Sequence, residues 1–397
     1  MQQSMKDRDQ ESYWRFPDFN REGKFETNDI EIRDITLREG EQTADVAFNS
    51  DEKIRIAMSL SDAGVHQIQC GYASEDCSIV SDLKSFGCKS KLEIMCVGYS
   101  PNWKEQVGKA VECGADIVHF IFRSDDQHLN ELGLDRRSAI RRVEEIVAHM
   151  KSMGAREMSF GPSFASRANK QFLIEFINAT ISGGVNQVVV SDSTGSMNPE
   201  GFAALVKYIK KNTGGKLAVH CHNDFGLALS NTIAGIKAGA QIVESSIAGL
   251  GERAGNVATE EVVLAMKFLY DYDLGIDPRR IADAARAVFS ISKMMIPPLK
   301  PIIGANTFTQ KLDIHVMTTR TKPWLHEPFD PQITGMNHRL VIGKRSGPIA
   351  VREKAKQLSI KLSDDKVDDI VHKVNAFSDV HKRALTDEEF TTIVEAN

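Results

Sequence analysis

What the sequence lacks narrows its possible functions first. Nowhere in its 397 residues does an apolar stretch approach the roughly 20 residues of a membrane-spanning helix, so no membrane partner is expected. Positive charge is not in excess: 49 Lys and Arg stand against 54 Asp and Glu, a net charge of -5. No basic, aromatic-rich patch stands out, which speaks against nucleic acid as the main partner. The six cysteines show no CxxC spacing, so neither a disulfide framework nor a structural zinc site is indicated. The opening MQQSMKDRDQESYWRF is charged throughout and lacks the apolar core of a secretory signal. A reducing cytoplasm is the expected location.

What is present fits a globular enzyme. Hydrophobic residues at 42% and charged ones at 26% are ordinary values for one, and the length calls for one large domain with an addition. Residues 1–28 are polar and read as an N-terminal extension. From Ile30 the run IEIRDIT reads as a buried strand, followed by the loop LREGEQTADVAFNS and an amphipathic helix from Asp51 to about Ala63. That phrase then repeats. Short apolar runs near Gly71, Cys96, Phe120, Phe160, Val190, His220 and Ser245 each precede a longer helical pattern.

Eight strand–helix units at this spacing predict a (β/α)8 TIM barrel over residues 29–272. An open doubly wound sheet would carry a glycine-rich phosphate turn after its first strand, and LREGEQ has none. Beyond residue 273 the pattern becomes mainly helical, with a break at PPLKP and two amphipathic helices expected in the last fifty residues. This region, 273–397, is too rich in Ile, Leu, Val and Phe to be disordered. It reads as a helical subdomain packed on the barrel or on a partner subunit.

The chemistry gathers at strand ends. In LAVHCHNDF, His220 and His222 share one strand face and Cys221 takes the other, at the rim where barrels keep their sites. The first strand's loop offers Asp34, Arg38, Glu39 and Gln42. A Glu39 carboxylate beside two imidazoles suits zinc, manganese, iron, cobalt or magnesium and leaves positions for a substrate chelating through two oxygens. Arg38 is placed to hold charge developing on a substrate oxygen. On this segment alone, a surface ion pair is the plainer reading of Arg38 and Glu39. After the eighth strand, the glycine-rich AGLGERAGN brings Asn256 as a further oxygen ligand and Glu252 as an orienter of the metal's ligands.

DITLREGEQ, HCHNDFGLALSNT and GLGERAGN, in this order, resemble the signatures of the metal-dependent acyl-CoA condensing synthases, the isopropylmalate, homocitrate and citramalate synthases. These share a barrel superfamily with hydroxymethylglutaryl-CoA lyase and metal-dependent aldolases. ANTFTQKLDIHV and HRLVIGKRSG resemble the region that follows the barrel in the synthases. The resemblance implies that Glu39, His220 and His222, with Asn256, bind a divalent metal (Zn, Mn, Mg or Co) and that Arg38 polarises the carbonyl of a 2-oxo acid. It further implies that Gln42, Ser193 and His128 contact substrate, and that His315 reaches the barrel of the other subunit in a homodimer.

The implied activity is a Claisen-type condensation of an acyl-CoA, acetyl-CoA foremost, with a 2-oxo acid. A metal-dependent lyase or aldolase and a catalytically lapsed barrel are the alternatives. The chain also departs from the family pattern. Ser159 and Ser163 stand where the synthases carry a substrate-reading arginine and a catalytic glutamate, which points to an acceptor other than 2-oxoglutarate. Gln69 replaces a common glutamate, DSTG replaces Asp-Thr-Val-Gly at 192–195, and Cys70 reads as a buried, inert thiol rather than a reactive one.

Overall fold

The computed structural model describes Trp14, residues 16–21, Phe25 and residues 29–396; most of the N-terminal extension expected over 1–28 lies outside these. The eight strands are β1 (Glu31–Asp34), β2 (Gln67–Tyr72), β3 (Lys91–Val97), β4 (Ile117–Arg123), β5 (Glu157–Ser163), β6 (Gln187–Asp192), β7 (Lys216–Cys221) and β8 (Ile242–Ser245). They close in sequence order into one parallel barrel. Closure is made where Glu31 to Asp34 of β1 pair with Ile242 to Ser245 of β8.

Helices α1 (Ser50–Ala63), α2 (Cys77–Ser85), α3 (Trp103–Glu112), α4 (Asp126–Glu131), α5 (Arg136–Met153), α6 (Lys170–Gly183), α7 (Pro199–Asn212), α8 (Ala228–Lys237) and α9 (Thr259–Leu269) connect and follow the strands. Their starts are written in the sequence. Asn49 and Glu52 form a reciprocal capping box on α1, which stops at Gly64 with φ 97, a left-handed turn that favours glycine. Asp125, Asp135, Asn169 and Asn198 accept backbone N–H groups in the same way at α4 to α7. No helix among the described residues is long and apolar enough to cross a membrane.

Between strands and helices lies an apolar layer in which Phe120 stacks on Phe160 at 4.9 Å and Phe160 meets Phe176 edge-on at 5.3 Å. The other strand face lines the barrel and is largely polar, with a small apolar cluster of Val189, Ala218 and Ile242. Arg33 of β1 is fully buried there. It donates to Gln67 at 2.9 Å and to Gln187, and pairs with Glu93 and Glu244 at 3.0 Å each. One guanidinium between two carboxylates leaves them unequal. Burial, reinforced by repulsion from Glu244, pushes Glu93 up to about 7 against the pull of Arg33. Burial also works against ionised Glu244, but a hydrogen bond from His220 and the charge of Arg33 outweigh it and hold that carboxyl low.

The chain divides into two compact units, and the first runs from Asp18 to Met295. It therefore includes helix α10 (Pro278–Ile291), which packs on α1 and lies past residue 272, where the sequence reading ended the barrel. In the second unit, helix α11 (Asp313–Thr321) lies between two short strands, Thr309–Gln310 and Arg339–Leu340, which pair in parallel. Its last fifty residues hold three helices where two were expected: α12 (Pro348–Gln357), α13 (Val367–His381) and α14 (Asp387–Glu395). The extra start comes from a second capping box, Thr386 with Glu389, which the periodicity alone does not separate from the preceding helix. Ile342, Val351, Ile370, Val374 and Phe390 form this unit's own core.

Candidate metal centre

β7 ends at Cys221, and His222 continues its direction through a single antiparallel bridge to Asn256. Strand alternation turns Cys221 outward, where burial raises its thiol pKa beyond reach of neutral pH, and turns His220 and His222 inward. Their Nε2 atoms lie 3.1 Å apart. Glu39 comes from the tight turn after β1, whose backbone N–H bonds to the Ile35 carbonyl, and its Oε1 lies 3.8 Å from His222 Nε2. One ligand atom from each of the three falls within 4.8 Å of the others.

Burial decides against the surface ion pair. Arg38 is 8% exposed, Glu39 3%, His220 6%, His222 4% and Asn256 3%. Burial pushes the Glu39 carboxyl up, but the charges of Arg38, His220 and His222 win and hold it at about 2. Burial, then repulsion from His220, pushes His222 down to about 3, so its imidazole is neutral and has a lone pair to give. Glu39 Oε1 and Asn256 Oδ1 are buried without a hydrogen-bond partner, and His222 turns its Nε2 toward His220 and Glu39. Electron-pair donors withdrawn from water and left unpaired cost free energy unless something electrophilic meets them. A divalent cation would satisfy this set.

The surroundings orient these donors. Glu244 Oε2 lies 3.0 Å from His220 Nδ1. It accepts the Nδ1 proton and so leaves Nε2 free to coordinate. Asn256 is set by its loop: its amide donates to the Gly249 carbonyl at 3.0 Å and its carboxamide Nδ2 faces the Leu250 carbonyl at 3.4 Å. Gly255 has φ +84, and a Cβ there would collide with the Gly249 carbonyl, so only glycine closes this turn. Glu252, expected to orient the ligands with its side chain, is exposed and pairs with Arg253. Its backbone N–H is what reaches Glu39.

The remaining predicted residues distribute as follows. Arg38 pairs with Glu39 and donates from Nε to Gln69 Oε1 at 2.5 Å; Gln69 in turn donates to Glu93 at 2.5 Å. Gln42 donates to the Tyr72 hydroxyl at 2.6 Å. His128 pairs with Asp125 at 2.6 Å and stacks on Phe164 at 4.1 Å. Ser193 Oγ accepts the Phe164 amide proton at 3.0 Å. The two therefore meet through one aromatic residue on the same rim. His315 belongs to the second unit, where its ring packs on His326 at 4.7 Å. Cys70 is fully buried with its thiol pKa pushed well up by that burial, the inert thiol expected.

Sequence reasoning missed the partners. Glu244 backs His220, Arg33 pairs with Glu244 and Glu93 beneath it, and Arg253 ties three rim loops by donating to Asp224 at 2.9 and 3.0 Å and to the Ser193 carbonyl at 3.0 Å. Ser159, at the place of the family arginine, hydrogen-bonds His119 at 2.8 Å. His119 is buried, and burial drives its pKa down to about 3, so this pair is neutral. The signal was present as polar residues two apart in otherwise apolar strands.

The sequence profile of the HMGL-like family matches residues 29–288, and that of the homocitrate synthase post-HMGL domain-like family matches 302–382. The chain is 34% identical to a probable 2-isopropylmalate synthase of Ignicoccus hospitalis, over 92% of each chain. It is 33% identical to a homocitrate synthase of Methanothermobacter thermautotrophicus, over 95% of this chain and 96% of that one. Among solved structures, a Bacillus subtilis HMG-CoA lyase superposes with a TM-score of 0.61 at 15% identity, over 69% of this chain and 97% of that one, a likeness of fold. With the profile spanning the whole barrel and the named relatives spanning nearly the whole chain, the protein belongs to the HMGL-like family, among its isopropylmalate, homocitrate and citramalate synthases.

Proposed function

We propose that this enzyme is an acyl-CoA:2-oxo acid transferase that joins an acyl group, acetyl first among candidates, to the carbonyl carbon of a 2-oxo acid and releases CoA. The observation that carries the reading is the buried cluster Glu39, His220 and His222, with Glu39 Oε1 and nearby Asn256 Oδ1 unpaired, beside Arg38, in a chain related to synthases of this type. A divalent ion held there supplies Lewis-acid polarisation of the acceptor's carbonyl and carboxylate oxygens. Two imidazoles, a carboxylate and an amide oxygen suit zinc, manganese or cobalt better than the all-oxygen shells magnesium prefers.

The chain's own groups do the rest. Arg38, fixed between Glu39 and Gln69, stabilises negative charge as it develops on the carbonyl oxygen. Gln42, Ser193 and His128 on the rim position the substrates. With serine at 163, the rim end of β5 offers no carboxylate base, and we assign proton transfer to His315, supplied by a second copy in a homodimer. The thioester's α-carbon loses a proton and attacks the carbonyl carbon; water then cleaves the thioester to a carboxylate and free CoA.

The test is CoA release from acetyl-CoA, with metal, against pyruvate, 2-oxoisovalerate, 2-oxoglutarate and oxaloacetate. Acceptor-dependent thiol release is expected, and removing metal with a chelator should abolish it. Thiol silence together with cleavage of a hydroxyacyl substrate would overturn the synthase in favour of a lyase; silence in both directions would favour a lapsed barrel.

A further inference from the structure

The barrel mouth carries a cation that neither the ligand set nor the condensation chemistry accounts for. Arg123 is the last residue of β4, paired in register with Ser163. Alternation along β4 fixes its side. His119 faces inward, bonded to Ser159, while Phe120 and Phe122 face the helices, in contact with Phe160 and Phe176. Ile121 and Arg123 therefore follow His119 on the inner face, with Arg123 in the uppermost layer. His222 occupies the same inner face at the end of β7.

The guanidinium of Arg123 lies 4.9 Å from the Tyr99 ring centroid and 5.2 Å from that of Phe164. Phe164 is itself fixed: φ 63, its amide held by Ser193, its ring stacked on His128. Among the described residues Arg123 forms no ion pair, while Arg33, Arg38 and Arg253 of the same barrel each pair with a carboxylate. An arginine whose plane is set by aromatic rings, and whose donors have no protein acceptor, is prepared for a planar anion. Ser159, Ser163 and neutral His119 supply no other cation on β4 and β5.

We infer that Arg123 forms the subsite for the distal carboxylate of a dicarboxylic 2-oxo acid acceptor. The inference rests on the reaction proposed above and specifies its substrate class. It replaces the sequence-based expectation that loss of the β5 arginine and glutamate points to an acceptor other than 2-oxoglutarate: the positive charge is delivered from the neighbouring strand. The same chemistry would suit a phosphate of the acyl-CoA, and the experiment separates the two.

Calorimetry of metal-loaded enzyme with 2-oxoglutarate, oxaloacetate, pyruvate and 2-oxoisovalerate gives the affinity ratio of diacids to monoacids without turnover. Native protein should favour one of the diacids at least tenfold. Arg123→Met should bring that ratio near one, with the loss in turnover falling on the diacid KM more than on kcat. Arg123→Lys should recover part of the ratio, since it keeps the charge without the planar fork. Equal weakening of both acceptor classes, a rise confined to the acyl-CoA KM, or a native ratio near one would each overturn the subsite. Absence of turnover with every acceptor would sink the condensation reading alone, because the binding ratio would still report on Arg123.

Discussion

Glu244 shows what a single residue does behind the metal ligands. It is buried, accepts a hydrogen bond from His220 Nδ1, and is held anionic against the cost of burial by that bond and by Arg33. Glu244→Gln keeps the shape and an acceptor oxygen but removes the charge. The metal dissociation constant is expected to rise about 10- to 100-fold, read by titrating apoprotein with zinc or cobalt against a competing chelator, with the unfolding transition followed in parallel. A change under twofold would mean that the His220 tautomer is fixed elsewhere. The candidate ligands were legible as a cluster: His220 and His222 two apart at a strand end, Glu39 in the loop of another strand. Glu244 was not, because its partner Arg33 is 211 residues away, and only the closing register of β1 on β8 makes them neighbours. The alternation of polar residues announces a polar barrel interior without saying which side chains meet.

Between elements, Asp34 shows how a seam can be both specific and costly. At the end of β1 it accepts the Thr36 amide at 2.9 Å and the hydroxyl of Thr259, the first residue of α9, at 2.8 Å, tying the strand to the helix after β8. Full burial outweighs these bonds and raises the carboxyl from 3.8 to about 6. The folded state therefore holds its proton more tightly than the unfolded state. Stability from this group is fully present below about pH 4 and is lost as pH rises through about 6, by roughly 3 kcal/mol. Asp34→Asn should flatten that part of the profile: between about pH 4 and 6 the unfolding free energy of the native protein should fall more steeply than the variant's, by urea denaturation. Parallel slopes would show that Asp34 is not protonated in the fold. Element boundaries followed sequence closely where a cap marks them, as at Asn49 and Gly64. They failed where packing decides, as with α10 on α1 and the third helix at the end of the chain.

At the scale of the whole molecule, the barrel and the second unit each have their own core, and the proposed chemistry draws on both: ligands and Arg38 from the first, His315 from the second. The reading of residues alone gave eight units and a helical tail; the role of His315 came from resemblance, since nothing in spacing or periodicity links LDIHV to a strand end some ninety residues earlier. Complementation tests this assignment. His315→Ala should lower condensation by roughly 10²- to 10⁴-fold, the range for a lost acid–base group, while zinc binding and acceptor binding persist. His222→Ala should lose the metal and the activity together. Each variant alone is then inactive for a different reason. If His315 serves the other subunit's barrel, unfolding and refolding the two together in equal amounts makes mixed dimers, in which one of the two sites has a native barrel and a native histidine. Statistical mixing puts recovered activity at roughly a quarter of the native level. If His315 serves its own chain, every site in the mixture lacks one component and activity stays at the level of the separate variants. Recovery is expected, and a mixture no more active than its parts would return the histidine to its own chain and remove the dimer from the mechanism.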